Sequence, residues 1–326
     1  MKPRLISASL LALSLAACTN DNDPMTPADG EVAAQIVAEI NHVATRASGD
    51  AWAANDRIGI STVSVTKTSY TNIPYTWNGT KFNADGTVIY FQDTKPVTFN
   101  AYYPFTGTVG VSAESISATT DANAQKEENQ KNIDFLFAKG AKADKKNPTV
   151  EFTDKSKNNG EDNSFHHCMS MIAIEFTEGD DIAFSDLKLQ SYTLKGMVLE
   201  GTFNTETGEA KATDGEQPED LTIKTDNVSV DNNKTYTADP VIIFPQTPKF
   251  AKEGEGEPVA GKIGLEVMVE DETYYATLTI PKGKTALEAG CRYTFPVKVK
   301  KTGLSVGTAE ISDWNKVFGD DTDATM

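Results

Sequence analysis

Cysteine, histidine and positive charge are all scarce in this chain of 326 residues. It has three cysteines and three histidines, and 47 acidic against 30 basic residues give a net charge of −17. Exported domains that rely on disulfides normally have more cysteines, so an apolar core has to supply the stability. The negative charge repels nucleic-acid phosphates and anionic bilayer surfaces, and we therefore expect no nucleic acid among the partners.

Motifs for catalysis or for holding a cofactor are also missing. The sequence has no nucleophile with a recognisable base, no phosphate-binding glycine loop and no spaced set of metal ligands. His166, His167 and Cys168 are metal-ligating residue types, but adjacent strand residues point to opposite faces, so at most two share a side. The oxygen-rich stretch 158–163 lacks the spacing of a calcium loop and fits a turn better. We expect a protein that is not an enzyme and that needs no cofactor or metal.

The N-terminus has the pattern of a lipoprotein export signal. Two basic residues precede a short apolar stretch, residues 5–15, which is too short to span a bilayer, and small residues then lead to Cys18. This pattern predicts a signal peptide over residues 1–17 and a lipid on Cys18, which would attach the chain stably to a membrane. The polar, acidic residues 19–24 resemble signals that send lipoproteins to the outer face of the outer membrane.

The rest of the chain has the pattern of an all-β protein. Runs of β-branched and aromatic residues end repeatedly at turn formers, for example at the Asn78-Gly79 pair, which favours a tight hairpin. Apolar residues alternate with others over 265–269 and 276–280, as in strands with one buried face. No sustained helical period follows residue 47, so we expect antiparallel β-sandwiches.

The strand-rich sequence divides into two halves at an acidic run over residues 178–181. A break in composition of this kind is typical of a domain boundary. We therefore expect an N-terminal sandwich over residues 47–179 and a C-terminal one over 180–326. Within the first half, the polar stretch 107–131 is expected to be an exposed loop, and a second polar stretch, 139–163, is interrupted by Thr149-Val150-Glu151-Phe152.

The segment that precedes the first sandwich has two interpretations. Its apolar residues alternate with polar ones from Val32 to Ile40, which suits a half-buried strand. Val32, Ile36, Ile40 and Val43 also lie about one helical turn apart, among good helix formers. The residues by themselves favour neither interpretation.

Several landmarks along the chain resemble the fimbrillin or Mfa-like family, whose members are type V pilus subunits with two transthyretin-like β-sandwich domains. The landmarks are Thr45-Arg46-Ala47, Trp52, Asp56-Arg57-Ile58-Gly59-Ile60, Ala101-Tyr102-Tyr103-Pro104, Asp134-Phe135-Leu136-Phe137-Ala138, residues 165–172, Ile243-Phe244-Pro245-Gln246, residues 287–295 and Ile311-Ser312-Asp313-Trp314. Their order and spacing carry the resemblance from about residue 45 to residue 314.

The resemblance implies how such a subunit is processed and assembled. An arginine-specific protease would cut after Arg46 once the lipoprotein had reached the outer membrane, so that the mature subunit begins at Ala47 in a cell-surface fimbrium that serves adhesion. The cut would remove the lipid together with the first strand, and a strand from another pilus subunit would replace it. The resemblance therefore favours the strand interpretation of the segment before Arg46.

Three alternatives stay open at this point. The apolar residues from Leu304 to Phe318 are few for both closing a sandwich and donating a strand, so the chain is either a shaft subunit or a tip or accessory subunit. A glycan-binding or other surface lipoprotein that does not polymerise is the alternative function, with Trp52, Trp77 and Trp314 as stacking candidates. Cys168 and Cys291 either pair or remain buried thiols, and buried thiols are favoured.

Overall fold

The chain is built almost entirely of β-strands in the computed structural model, which describes residues 30–41, 51–64, 66–154, 160–179, 187–230, 235–252, 254, 256–300 and 302–314. These residues form 25 strands and one short helix. The prediction of an all-β fold is confirmed. No helix in these ranges is long and apolar enough to span a membrane.

The first half of the chain supplies eleven strands and the helix. They are β1 (Val32–Ala33), β2 (Gln35–Ala38), β3 (Arg57–Thr62), β4 (Ile73–Trp77), β5 (Phe82–Ala84), β6 (Tyr90–Phe91), β7 (Val97–Tyr103), β8 (Ser115–Thr119), α1 (Glu127–Gln130), β9 (Leu136–Ala143), β10 (Thr149–Phe152) and β11 (His166–His167). The residues 149–152 that interrupt the second polar stretch form β10.

An eight-stranded sheet organises this half, with the strand order β10-β2-β5-β4-β3-β7-β9-β11. Side chains that alternate between the two faces of the strands build the core of this sheet. In β7, for example, Val97, Phe99 and Ala101 are buried, whereas Thr98 and Asn100 are only partly buried. The buried side chains of these strands form one apolar cluster, which we call the first core.

The second half supplies the remaining strands. They are β12 (Ser170–Glu178), β13 (Leu187–Met197), β14 (Glu200–Asn204), β15 (Ala210–Ala212), β16 (Glu219–Val230), β17 (Tyr236–Thr237), β18 (Val241–Ile243), β19 (Lys249–Phe250), β20 (Val259–Ala260), β21 (Lys262–Val269), β22 (Glu272–Thr279), β23 (Cys291–Lys300), β24 (Gly303–Val306) and β25 (Glu310–Asp313). One sheet has the order β17-β12-β23-β24, with β18 and β25 attached, and another has the order β16-β13-β21-β22. Side chains from both sheets form a second core.

A third apolar cluster joins the two halves. Strand β8 of the first half pairs with β14 of the second, and beside them Phe135 stacks on Phe203 with ring centroids 4.7 Å apart. The Gln125 side chain donates to the Ile242 carbonyl at 2.7 Å and accepts the Ile242 N–H at 2.9 Å. We call this cluster the junction.

Two expectations about local structure are corrected. The sheets are not purely antiparallel, because β10 pairs with β2 and β12 pairs with β23 in parallel. The polar stretch 107–131 is not simply a loop, because it contains β8 and α1. Polar composition misled the prediction here, since β8 needs only a partner strand and one partly covered face to form.

The pairing of β12 bears on where the chain divides. This strand lies ahead of the predicted boundary at residue 179, yet β17, β18 and β23, all of the second half, are its partners. The preceding strand β11 pairs with β9 of the first half. A division into two sandwich domains remains a prediction, and this pairing would put it near residue 168.

Candidate functional site: the seat of the first strand

The residues predicted to be processed, Cys18, Arg46 and Ala47, lie outside the described residues. The segment just ahead of Arg46 is described from residue 30 to residue 41 and forms β1 and β2. The strand interpretation of this segment is confirmed, and the helical interpretation is wrong. We call residues 32–40 the first strand, and we call the strands β5, β6 and β10 with the core around them its seat.

The first strand is held on both sides by main-chain pairing. β1 runs antiparallel to β6, and β2 lies between β10, which is parallel to it, and β5, which is antiparallel. Further main-chain hydrogen bonds join Ala34 N–H to Ile89 O (2.8 Å), Gln35 N–H to Pro148 O (2.9 Å), Glu39 N–H to Phe152 O (2.9 Å) and Asn41 N–H to Phe165 O (2.8 Å). The segment is therefore an integral strand of the sheet.

Alternate side chains of the first strand enter the first core. Ala34, Ile36, Ala38 and Ile40 are at most 9 % exposed, whereas Val37 on the opposite face is 42 % exposed. Burying an isoleucine side chain stabilises a protein by about 1.5–3 kcal/mol. The seat thus presents a row of small and large pockets in a fixed register.

Trp52 lies across the end of the first strand. Its indole Nε1–H donates to the Ala38 carbonyl at 2.9 Å. Its ring also meets those of Phe82, Tyr103 and Phe165 edge-on, at centroid distances of 5.1 to 5.6 Å. Because Trp52 follows Arg46 in the chain, a cut after Arg46 would leave this donor and these rings with the seat.

Strand β10 depends on the first strand for its place in the sheet. Among the described residues its only strand partner is β2, with four paired positions from Thr149↔Gln35 to Phe152↔Ala38. Val150 and Phe152 of β10 are fully buried in the same core. Removing the first strand would leave β10 without a ladder and open the edge of β5, and such unpaired edges recruit other strands.

Two buried tyrosines beside the seat are engaged in hydrogen bonds. The Tyr75 hydroxyl accepts the Ile89 N–H at 3.2 Å, and burial raises the pKa of Tyr75 to about 12. The Tyr103 hydroxyl donates to Asp56 at 3.1 Å, and burial, with the nearby Asp56 charge, also raises the pKa of Tyr103. Both phenols are neutral at physiological pH, so the seat suits an apolar strand.

His167 and Cys168 of the predicted histidine and cysteine cluster are packed, whereas His166 is partly exposed. His167 is buried with its Nδ1 2.7 Å from Asp134 Oδ1, and its ring stacks on Trp314 at a centroid distance of 3.9 Å. Cys168 is buried, which raises the pKa of its thiol, and both it and Cys291 are free thiols. In the described part of the chain no three metal-ligating side chains come together.

The three tryptophans all pack against other rings. Trp52 and Trp77 contact the first core, with Trp77 5.1 Å from the Phe82 ring, and Trp314 is buried in the junction. Sequence reasoning identified these residues as landmarks but missed the role of Trp52 and of β10 in holding the first strand. The closeness of Trp52 to Arg46 in the sequence was the available signal for the role of Trp52, whereas nothing in the sequence pairs β10 with β2.

The fold and the site define a class of protein, namely an all-β chain whose first sheet is completed by a strand near its N-terminus. The sequence profile of the fimbrillin-like family matches residues 45–314. The chain therefore belongs to the fimbrillin-like family.

Relatives agree with this assignment. A protein of Bacteroides uniformis named as a candidate fimbrium subunit, Fim1C, is 27 % identical over 96 % of this chain and 95 % of its own length. A crystal structure of a candidate cell adhesion protein from Bacteroides ovatus is 28 % identical, with a TM-score of 0.63 over 87 % of this chain and 96 % of that one. A second such protein, from B. uniformis, is 24 % identical and shares the fold, with a TM-score of 0.63 over 88 % of this chain and the whole of that one.

Proposed function

We propose that this chain is a structural subunit of a type V fimbrium, made as an outer-membrane lipoprotein with lipid on Cys18 and cut after Arg46. The observation that carries the proposal is the first strand, which completes the first core yet lies ahead of Arg46. The family profile matches residues 45–314, so all but its first two residues lie in the part of the chain that the cut would leave. The mature subunit, from Ala47 onward, serves adhesion at the cell surface.

The distribution of arginine supports Arg46 as the cutting site. Besides Arg4 in the predicted signal peptide, the chain has only Arg46, Arg57 and Arg292. Arg57 lies in β3 and Arg292 in β23, both of which are paired on two sides. A protease needs an extended, unpaired backbone, so cutting at these two positions would require local unfolding.

The seat then sets what a replacement strand has to satisfy. To restore the bonds of the first strand it has to run parallel to β10 and antiparallel to β5. It also has to offer small and large apolar side chains at the spacing of Ala34, Ile36, Ala38 and Ile40. A strand from another pilus subunit is the partner that we propose for it.

The described C-terminal strands serve this chain's own second half. β24 and β25 both pair with β23, and Leu304, Val306 and Ile311 pack against the second core. Donating them would expose that core to water, at a cost in free energy. Within the described residues the seat is a site for accepting a strand, and whether the chain also donates one separates a shaft subunit from a tip or accessory subunit.

A cleavage experiment tests the proposal. Treating the folded lipoprotein with an arginine-specific protease should yield Ala47 as the new N-terminus, a released segment with lipid on Cys18, and polymer only after the cut. Arg46→Ala should stay uncut and monomeric, whereas Thr45→Ala should behave as the unsubstituted chain. Polymer that forms equally well from Arg46→Ala, with its first segment attached, would overturn strand replacement. Cut chains that polymerise only with a second fimbrial protein would identify a tip or accessory subunit.

A further inference from the structure

The outer face of the sheet β16-β13-β21-β22 carries a groove that the strand-replacement scheme does not use. Its volume is about 840 Å³, and Lys195, Phe250, Glu266 and Tyr275 are among its lining residues. Tyr275 is 58 % exposed, and it lies directly opposite Glu266 in the β21–β22 ladder. Ligand sites are concave and combine apolar or aromatic walls with a few polar groups, and this groove has both features.

Two glycines shape one wall of this groove. Gly264 leaves room for the Phe250 ring, because a Cβ at Gly264 would lie 2.5 Å from Phe250 Cε2. A Cβ at Gly196 on the neighbouring strand would lie 2.5 Å from the Lys249 carbonyl oxygen. The short strand β19 therefore rests on the sheet only because both positions lack a side chain, and it holds the Phe250 ring as a wall near Tyr275.

Charged side chains in and beside the groove hold one another in place. The Lys195 ammonium lies 2.9 Å from Glu266 Oε2 and 3.3 Å from Asp220 Oδ2. The bond to Glu266 contributes most to raising the pKa of Lys195, so this lysine is charged at physiological pH. The charged lining residues are Lys195, Lys252 and Glu266, and Asp220, which does not line the groove, binds Lys195 from beside it. The four side chains together carry no net charge.

We propose that this groove binds a neutral saccharide. The apolar face of a pyranose ring packs flat on an aromatic ring such as Tyr275, with Phe250 as a second apolar wall. The sugar hydroxyls both donate and accept hydrogen bonds, and they match carboxylates and an ammonium that are already held in place by one another. Balanced charge favours a neutral sugar over an acidic one. This binding function is additional to fimbrial assembly and does not depend on it.

Binding of neutral oligosaccharides to the folded chain tests the proposal. The probes are gluco-, galacto-, manno- and fuco-configured hexasaccharides, titrated by calorimetry and by saturation-transfer NMR. We expect at least one to bind, and Tyr275→Ala to weaken its binding about tenfold or more because the stacking surface is lost. Tyr275→Phe keeps the ring and should bind within a few-fold of the unsubstituted chain.

Met268→Ala is the matched control, because Met268 is 38 % exposed on the same pair of strands but does not line the groove. It should bind as the unsubstituted chain does, and thermal melting should show that all three variants are folded. The proposal is overturned if no probe binds, or if Tyr275→Ala binds as tightly as Met268→Ala. Because the groove lies outside the seat, polymerisation after the Arg46 cut should be unchanged in Tyr275→Ala, which separates this test from that of the proposed function.

Discussion

At the scale of single residues, Tyr75 shows how the first core treats a polar group. The side chain is 2 % exposed, and its hydroxyl accepts the Ile89 N–H in a place that water does not reach. The phenol satisfies this donor while it is neutral, and its ionisation would put a charge into an apolar environment. Burial accordingly raises the pKa of Tyr75 to about 12.

Tyr75→Phe tests this arrangement through the pH dependence of stability. At pH 8 the variant should be about 1 kcal/mol less stable, since Ile89 N–H loses its acceptor. A raised folded-state pKa contributes stability that is complete below the unfolded pKa of about 10 and is lost as pH rises through the folded value. The unsubstituted chain should therefore lose about 2 kcal/mol relative to Tyr75→Phe between pH 9 and pH 12.

Denaturant unfolding at pH 8, 10 and 11.5 would measure both effects. The difference between the two chains should shrink and then change sign over this range. Tyr275→Phe, at an exposed position, provides the control. A difference that stays constant with pH would contradict the assignment of a buried, neutral phenol to Tyr75.

At the scale of elements, the first strand has two unlike faces. Ile36 is 6 % exposed and points into the first core, while the adjacent Val37 is 42 % exposed and points outward. Ile36 and Val37 therefore form a matched pair for substitution. Both pair with β10 through the backbone, but their side chains lie on opposite faces of the sheet.

An aspartate at each position should separate the role of the side-chain pocket from that of the backbone. Ile36→Asp would bury a carboxylate without a partner and should lower the free energy of unfolding by about 3 kcal/mol or more. Val37→Asp should stay within about 1 kcal/mol of the unsubstituted chain. Urea unfolding of the uncut precursor, in a lipid-free Cys18→Ser background, would measure both. Equal losses would show that the first strand does not occupy the seat in the register described.

At the scale of the whole molecule, the junction makes the two halves depend on one another. Phe203 belongs to the second half of the chain, yet it stacks on Phe135 of the first half in nearly parallel planes, 5° apart. The β8–β14 ladder lies beside this pair and crosses between the halves in the same way. We expect this coupling to make the described part of the chain unfold cooperatively.

Phe203→Ala should lower global stability by about 3–5 kcal/mol, since it opens a cavity at a fully buried site. It should also speed amide hydrogen exchange in β7 of the first half, because Tyr102 of β7 packs into the junction. Leu278→Ala, a buried residue of the second core alone, tests cooperativity from outside the junction, because in a cooperative chain it should also speed exchange in β7. Exchange in β7 that stays at the rate of the unsubstituted chain in both variants would show that the halves unfold independently.

The sequence by itself determined the class of this molecule. Runs of β-branched and aromatic residues, closed by turn formers, are local signals that do not depend on distant partners, so the all-β fold followed from them. The order and spacing of short motifs carried the resemblance to the fimbrillin family, which the family profile over residues 45–314 confirmed.

Only the tertiary structure decided which strands lie together. The spacing of Val32, Ile36 and Ile40 suits a helix as well as a strand. The segment is a strand because its backbone pairs with β5 on one side and with β10 on the other. In the same way β8 looked like a loop because its partner, β14, lies about 85 residues later in the chain. Strand pairing is set by hydrogen bonds between segments far apart in the chain, and a local pattern does not contain them.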